Sequence, residues 1–462
     1  MELSALMLSR IQFAFTVSFH IIFPSLTIGL AAWLTVLEAM HQLTGKAVYR
    51  RVFDFWLKIF GVAFGIGVVS GVVLGFEFGT NWSELARLSG PVQGPLLTYE
   101  TFTAFMLEAS FFGVLLFGRS RVKPGFYLFS AAMVALGTMF SAFWIMVNNS
   151  WMQHPVGVAF IDGRFVPTDW AAIVFSPVVW VRFPHMLLAS YLTGAFCVAA
   201  TGAWYTLRRV CEPEAKVMLR MGLMLATVIM PVQLLFGHLV GDYVHDYQPV
   251  KFAAIEGRWH DEQPAAEVVI GWPDEAAETN RYAVSIPVLG SLIATMTPNS
   301  KEVGLTSFPK DQRPPVLIPF LAFRVMVGCG LLMLLVAWLG SWYAFKDRLE
   351  RKTGLLWATY LSFPLPFVAI LTGWFAAEVG RQPWTVWGVL RTADALTPTL
   401  TPQAASTSLV VFCTTYLVIF SFGTYYVYKL LRHGPASIAQ DHAPTGSANR
   451  PLSVAAADPL HD

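Results

Sequence analysis

The chain has 462 residues, of which 55% are hydrophobic and 13% are charged, and its formal net charge is +2. Soluble domains carry about 25% charged residues, so this composition excludes a soluble protein and indicates an integral membrane protein. The near-neutral charge comes without a basic block, so no nucleic-acid partner is expected. The four cysteines lack CxxC or CxxCH spacing, which argues against covalently attached haem, iron–sulfur clusters and a disulfide framework.

Nine apolar segments are long enough to cross a bilayer as helices, which predicts an all-α bundle of nine transmembrane helices. The predicted spans are 11–39, 53–79, 96–118, 125–148, 181–206, 219–240, 317–343, 355–377 and 407–431. The first apolar run is too long for a cleavable signal peptide, so we expect it to stay as a membrane anchor.

Lys and Arg predict the orientation of the bundle. Sixteen of them lie in the turns after spans 1, 3, 5 and 7 and at the C-terminal end, against four in the opposite short loops. Under the positive-inside rule, the N-terminus is periplasmic and the C-terminus cytoplasmic. The predicted organisation is therefore spans 1–6 in 1–240, a periplasmic loop in 241–316, spans 7–9 in 317–435 and a disordered tail in 436–462.

Six residues lie inside or at the edge of apolar runs where lipid-facing sequence should not tolerate them. Even on lenient scales a charge at the bilayer centre costs about 2.5 kcal/mol, so such residues usually mark a function. The mixture of imidazole, thioether and carboxylate suits iron, electrons and protons better than a transported solute. These residues are His20, Glu100, Glu108, His185, Met326 and Glu378.

The first two spans carry one imidazole and one face of glycines. His20 has two interpretations, because it either ligates a haem iron or bonds a backbone carbonyl that Pro24 frees. The second span places glycines at four-residue spacing, which favours close packing of a helix or of a cofactor. The glycines of this face are Gly67, Gly71, Gly75 and Gly79.

The third span carries two carboxylates, Glu100 and Glu108. In an unbroken α-helix, eight residues separate them by about 12 Å along the axis and by about 80° around it. Carboxylates along one membrane helix suit a proton path. Glu100 is also placed to face His20, and a carboxylate on haem iron would leave the exchangeable site that oxygen chemistry requires.

The fifth and seventh spans carry His185 and Met326 at comparable depth. An imidazole and a thioether from two helices form the ligand pair of a six-coordinate haem with a raised potential. Met326 alone also suits core packing, and His185 alone also suits a hydrogen-bonded packing role. Arg324, two residues before Met326, is a candidate partner for a haem propionate.

Two further sites leave alternatives open. Glu378 ends the eighth span between Trp374 and Arg381, which suits either an interfacial helix end or a charged cofactor pocket with an aromatic wall. Lys251 and Glu256 of the long loop are either plain exposed charges or, near a haem, groups that bind a quinol headgroup and take its protons.

Five sequence blocks carry a family resemblance across residues 6–432. They are GTNWSE (79–84), NSWMQHPVG (149–157), KFAAIE (251–256), FRVM (323–326) and GRQPW (380–384). On these blocks the chain resembles subunit I of cytochrome bd-type quinol oxidases. The short segment between Ser291 and Ile318 resembles the short quinol-loop branch, often called cyanide-insensitive, in which the oxygen site holds haem d or haem b.

The resemblance implies three haems, namely a low-spin haem b, a high-spin haem b and a haem d that haem b replaces in some members. His185 and Met326 match the axial ligands of the low-spin haem, with Arg324 beside it. His20 matches the ligand of one high-spin haem. Glu100 and Glu378 match the carboxylates of the other high-spin site.

The same resemblance assigns the remaining residues to protons, quinol and electrons. Glu108 matches an acid on the proton route to the oxygen site, and Lys251 and Glu256 match the quinol-binding residues. Trp374 matches an aromatic residue between haems, and Arg381 follows in the same pocket.

The predicted function is therefore a terminal oxidase of the bacterial inner membrane. Quinol is oxidised at the periplasmic face, and oxygen is reduced to water with cytoplasmic protons, so charge crosses the membrane without a pump. A second membrane subunit is the expected partner, and a small single-span subunit is a further candidate partner. The rival functions are a proton-coupled secondary transporter, disfavoured because nine spans show no inverted repeat, and a haem-free structural anchor.

Overall fold

In the computed structural model, which describes residues 4–440, long apolar helices make up most of the chain. Nine helical segments of this described part are long and apolar enough to cross a membrane, which confirms the predicted number of spans. They are Ala5–Thr44, Ala47–Thr80, Ser83–Phe117, Pro124–Gln153, Trp170–Arg208, Glu212–Tyr247, Leu317–Phe345, Thr353–Val379 and Pro402–Pro435.

Some of these spans consist of more than one helix, and short helices lie between others. The helices are α1 (Ala5–Thr44), α2 (Ala47–Thr80), α3 (Ser83–Glu100), α4 (Met106–Phe117), α5 (Pro124–Gln153), α6 (Trp170–Val174), α7 (Pro177–Arg208), α8 (Glu212–Tyr247), α9 (Pro249–Glu256), α10 (Leu289–Thr295), α11 (Leu317–Phe345), α12 (Thr353–Leu361), α13 (Leu365–Val379) and α14 (Pro402–Gln440). The predicted tail lies outside the described residues from position 441 onward.

Most of the helices extend beyond the apolar windows that predicted them. The third span begins at Ser83 rather than 96, and the sixth continues to Tyr247 rather than 240. Hydropathy marks only the part of a helix that crosses the hydrocarbon core, whereas backbone hydrogen bonds carry the helix on into polar sequence. The extra turns are where several polar site residues lie.

Local capping explains the ends of α1. The Ser4 hydroxyl accepts a hydrogen bond from the Met7 backbone N–H at 3.2 Å, which caps the helix N-terminus. At the other end Gly45 adopts φ +69°, and its N–H donates to the His41 carbonyl at 2.8 Å. A left-handed residue of this kind favours glycine and ends the helix.

Three antiparallel hairpins lie at one side of the bundle, which we call the loop side because it carries residues 248–316. The hairpins are β1–β2 (Val158–Ile161 with Arg164–Pro167), β3–β4 (Glu267–Asp274 with Thr279–Ile286) and β5–β6 (Trp384–Val386 with Leu390–Arg391). Residues 248–316 are therefore an ordered segment that contains α9, β3, β4 and α10. No hydrophobic periodicity in this part of the sequence is strong enough to predict these helices and strands.

The helices at the centre of the bundle approach one another closely. A Cβ atom added to Gly29 of α1 would lie 2.4 Å from the Ser190 carbonyl oxygen of α7, so only glycine allows this crossing. Toward the side opposite the loop side, Trp33, Trp56 and Phe60 belong to one buried cluster. This tight centre fixes α1, α2, α5 and α7 around the polar residues described below.

Candidate active site

Residues along α5 contact all three membrane carboxylates predicted from the sequence. A Cβ atom added to Gly137 would lie 2.5 Å from Glu108 Cγ, so Glu108 packs against this glycine. Ser141 donates a hydrogen bond to Glu100 Oε1 at 2.7 Å, and Asn149 donates to Glu378 Oε1 at 3.0 Å. From Gly137 to Asn149 the helix rises by about 18 Å toward the loop side. The three carboxylates therefore follow one another along a single helix.

A π-helical turn brings Glu100 and Glu108 onto one side of their span. Residues Thr101–Phe105 form this turn between α3 and α4. One extra residue in a turn reduces the angular offset between the two carboxylates from the predicted value of about 80° to about 20°. The prediction of the angle was wrong because it assumed an unbroken α-helix. The corrected offset explains how both side chains reach the same face of α5.

Each of the three candidate axial ligands lies against a glycine of a neighbouring helix. A Cβ atom added to Gly71 would lie 3.1 Å from the His20 Cε1 atom, and one added to Gly237 would lie 3.3 Å from His185 Cε1. At Gly373 the added atom would lie 2.9 Å from Met326 Sδ. Each of these glycines therefore lets a candidate ligand pack directly against a neighbouring helix, where any larger side chain would collide with it.

His185 and Met326 are placed around one region by four helices. Both α8 and α13 pack against α7, which carries His185, and against α11, which carries Met326. Gly237 belongs to α8 and Gly373 to α13, so each of these two helices presents a glycine to one candidate ligand. The arrangement agrees with the predicted ligand pair, whose coordination of a haem iron stays a prediction.

His20 occupies a different wall of the bundle from the carboxylates. Its Nδ1 atom lies 2.9 Å from the Ser70 hydroxyl of α2, and its ring lies against Gly71. Glu100 instead bonds Ser141 of α5. The bond to Ser70 orients the imidazole, in the way that outer partners orient metal-binding histidines. Whether Glu100 faces His20 across a haem stays a prediction.

A buried polar network joins Glu378 to the loop. Glu378 forms an ion pair with Arg381, and Gln153 donates to Glu378 Oε1 at 3.2 Å. Lys251 Nζ in turn donates to Gln153 Oε1 at 3.0 Å. Arg182 donates to Asn149 Oδ1 at 2.6 Å. This buried network favours the pocket interpretation of Glu378 over a plain interfacial helix end, and the cofactor in that pocket stays a prediction.

The network carries more positive than negative charge. Arg182, Lys251 and Arg381 are buried around a single carboxylate, Glu378. Burial, and then the neighbouring Arg182, lower the pKa of Lys251 to about 7. The Arg381 Nε and Nη1 atoms are buried without a hydrogen-bond partner among the described residues. Buried cations are normally paired, so the site is built to receive an anion.

Lys251 and Glu256, only five residues apart on α9, contact different polar partners. Lys251 is 3% exposed and lies against Gly380 and Gln153. Glu256 is 5% exposed and lies 3.7 Å from the Arg324 Nη2 atom. Their burial excludes the interpretation of both residues as plain exposed charges.

Each guanidinium nitrogen of Arg324 donates a hydrogen bond to the loop. Its Nε donates to the Val268 carbonyl and its Nη1 to the Ile255 carbonyl, each at 2.8 Å. Its Nη2 donates to Val268 at 2.5 Å and to Glu267 Oε1 at 3.2 Å. The predicted pairing of Arg324 with a propionate stays a prediction, but this geometry favours a role in fixing the loop to α11.

Trp374 packs beside this network rather than at the surface of the bundle. It is partly buried against a cluster that includes Trp151 and Phe183. Its place on α13, one turn before Glu378, agrees with an aromatic wall for a cofactor pocket.

Comparison with known proteins identifies the family to which the chain belongs. The family model described as "Cytochrome bd terminal oxidase subunit I" matches residues 8–435. The chain belongs to this family. It is 33% identical to subunit 1 of the cytochrome bd-II ubiquinol oxidase of Escherichia coli K12, over 95% of this chain and 98% of the relative. It is also 33% identical to subunit 1 of the cytochrome bd ubiquinol oxidase of Bacillus subtilis 168, over 90% and 91% respectively.

The fold agrees with a solved cytochrome bd structure. The bd oxidase from Geobacillus thermodenitrificans matches with a TM-score of 0.87 and 29% identity, over 94% of this chain and 99% of that chain. The chain is therefore a multi-pass protein of the bacterial inner membrane, and membership of a cytochrome family implies haem cofactors. The excess positive charge of the network and the buried nitrogens of Arg381, which lack a hydrogen-bond partner within the described part of the chain, fit the carboxylates of such groups.

Several residues of the site were missed by sequence reasoning. Arg182, Asn149 and Gln153 lie at the centre of the network, yet the sequence gave them no role. Arg182 carried a usable signal, because an arginine three residues before His185 lies in an apolar span. Asn149 and Gln153 are neutral, and only the packing of α5 against α13 and α9 reveals them.

Proposed function

We propose that this subunit oxidises quinol at its loop side, passes the electrons to three haems, and reduces oxygen to water. The observation that carries the proposal is the order of contacts along α5, which reaches Glu108, Glu100 and Glu378 in turn and ends at Gln153 beside Lys251. The residues predicted for proton delivery, oxygen chemistry and quinol binding thus follow one another along this helix.

Four residues are assigned to haem iron, and one of these, Glu100, belongs with Glu378 to the oxygen-reducing site. His185 and Met326 would hold the low-spin haem b, and His20 would hold a high-spin haem b. Glu100 and Glu378 belong to the second high-spin site, which takes haem d or haem b. When bound, these haems supply one-electron carriers and an iron that binds oxygen.

The chain's own residues supply charge balance, protons and substrate contacts. Arg182 and Arg381 would pair with haem propionate carboxylates, whose negative charge would compensate the excess positive charge of the network. Glu108 holds a proton for transfer toward Glu100, which the π-helical turn places on the same side. Lys251 donates a hydrogen bond to the quinol headgroup, and Glu256 accepts its proton. Because quinol protons leave at the loop side and oxygen takes protons from the opposite side, no pump is needed.

Haem analysis of the detergent-purified complex, with its second membrane subunit, tests this proposal. Pyridine haemochrome analysis should count three haems per copy of this chain, and quinol should drive oxygen consumption. A preparation that binds no haem, or whose haems quinol does not reduce, would contradict the proposed function.

A further inference from the structure

Glu256 meets a second buried carboxylate, Glu267, which the sequence did not single out. Arg324 Nη2 lies 3.2 Å from Glu267 Oε1 and 3.7 Å from Glu256 Oε2. The two carboxylate side chains are 12% and 5% exposed respectively. A single guanidinium therefore binds one carboxylate from β3 and another from the end of α9.

The charged groups around Glu267 come from three elements. Glu256 faces it from α9, Arg324 from α11, and Arg258 from the turn that follows α9. Burial, and then the neighbouring Glu256, raise the pKa of Glu267. Two carboxyl groups bound by one guanidinium disfavour each other's ionisation, so the pair favours the retention of a proton.

One carboxylate oxygen of the pair has no hydrogen-bond partner among the described residues, and a cavity leads from the pair to the surface. Glu256 Oε2 is buried and has no hydrogen-bond partner among the described residues. A cavity of about 200 Å³ is lined by Glu256 and Arg258 and also by the exposed residues His260 and Glu262. A proton on the pair can therefore reach the loop-side surface without crossing the bundle.

We propose that Glu267 is the second carboxyl group of the quinol proton-release site and acts as a pair with Glu256. This inference rests on the proposed function, and it adds a proton acceptor to it. Oxidation of one quinol breaks two O–H bonds and releases two protons and two electrons, and the oxygen reduction of the proposed function consumes those electrons. The ionised member of the pair takes the first proton, and the pair returns one to the outer cavity before the second hydroxyl ionises.

The placement of Arg324 supports the role of the pair. Its guanidinium is held by the carbonyl groups of Val268 and Ile255, so it cannot swing away when the charge of the pair changes. Met326, the candidate haem ligand, follows two residues later on α11. Arg324, which contacts both carboxylates of the pair, and Met326, the candidate haem ligand, thus lie on the same turn of α11.

Glu267→Gln in the complete membrane complex tests the inference. The amide keeps the shape of the side chain but cannot take a proton, so kcat with quinol should fall by at least about tenfold. The KM for quinol should stay within about twofold, and the pH profile of kcat should lose an inflection that the wild type shows. Quinol-induced infrared difference spectra should lose one band of a protonated carboxyl group. The control is Glu275→Gln, which removes an exposed carboxylate of the same segment and should behave as the wild type.

The outcomes separate this inference from the proposed function. If quinol reduces the wild-type haems but Glu267→Gln keeps the wild-type kcat, pH profile and infrared spectrum, the inference is overturned and the function stands. If quinol does not reduce the wild-type haems at all, the proposed function itself fails. Should Glu267→Gln lose haem, Glu267→Asp decides, because a shifted inflection supports the pair and an unshifted one overturns it.

Discussion

At the residue scale, glycines allow the candidate haem ligands to pack against neighbouring helices. His20, His185 and Met326 each meet a glycine where any larger side chain would contact the donor region. The sequence predicted close packing or cofactor contact for Gly71, but it gave no sign for Gly237 and Gly373. Their role depends on the packing of α8 and α13, which no local pattern encodes.

Gly373→Ala should disturb the low-spin haem, because the added methyl group would lie 2.9 Å from Met326 Sδ. Such overpacking typically costs about 1–3 kcal/mol, enough to displace a thioether from iron. A reduced-minus-oxidised spectrum should show a weaker or shifted low-spin band. The control is Gly330→Ala on α11, where an added Cβ has no atom within 4 Å. Equal spectra for both variants would contradict this role of Gly373.

Arg182→Gln tests the uncompensated charge of the network. A buried cation favours the reduced, more negative form of a nearby haem, so its removal should lower a midpoint potential. The expected decrease is on the order of 50 mV, since 59 mV corresponds to about 1.4 kcal/mol for one electron. Arg87→Gln is the control, because the Arg87 side chain is 49% exposed. Unchanged potentials in a redox titration of Arg182→Gln would remove Arg182 from the haem sites.

At the scale of elements, the ordered loop depends on a few side chains that bind backbone groups. Asp261 accepts hydrogen bonds from the Gly304 N–H at 3.0 Å and the Ser307 hydroxyl at 2.7 Å, and it pairs with Lys301 at 3.0 Å. These contacts join the two ends of the segment that contains the β3–β4 hairpin. They lower the pKa of Asp261 from 3.8 to about 2, with the Gly304 N–H as the largest cause.

Asp261→Asn should loosen this loop in a manner that depends on pH. The folded pKa is lower than the unfolded one, so Asp261 stabilises the loop fully above pH 3.8 and loses this effect as the pH falls through about 2. Hydrogen exchange in the loop should therefore be faster in the variant at pH 7, and the difference should narrow below pH 4. The control is Asp246→Asn, whose carboxylate is 66% exposed. A difference that is independent of pH would contradict this role of Asp261.

The sequence predicted the number of spans, but it did not predict the irregular turn within the third span or the polar residues beside the carboxylates. Apolar length fixed the nine helices, because a bilayer leaves few alternatives for a buried backbone. The π-helical turn at Thr101–Phe105 escaped prediction, since its residues have no composition that separates them from an α-helix. Likewise Asn149 and Gln153 are uncharged, so the cost of placing a charge in the bilayer did not mark them as candidate site residues. The candidate ligands were found because each places a polar or metal-binding group in apolar sequence.

At the scale of the whole molecule, the family assignment removes the transporter and the haem-free anchor as alternatives. The burial of the spans differs widely across the bundle. In the most apolar stretch of Trp170–Arg208, 61% of residues are buried within this chain, against 11% for Pro402–Pro435. The central helix α7 thus carries His185 and Arg182, while α14 lies at the periphery, where lipid or the expected second subunit covers it.

One substitution shows whether His185 and Met326 hold the haem through which electrons enter. Met326→Leu keeps the volume and apolar character of the side chain but removes the thioether. The control is Met333→Leu, a buried methionine on the same helix. In the purified complex, reduced-minus-oxidised spectra should show loss of the low-spin band in Met326→Leu and its full retention in Met333→Leu. An intact low-spin band in Met326→Leu would contradict the account.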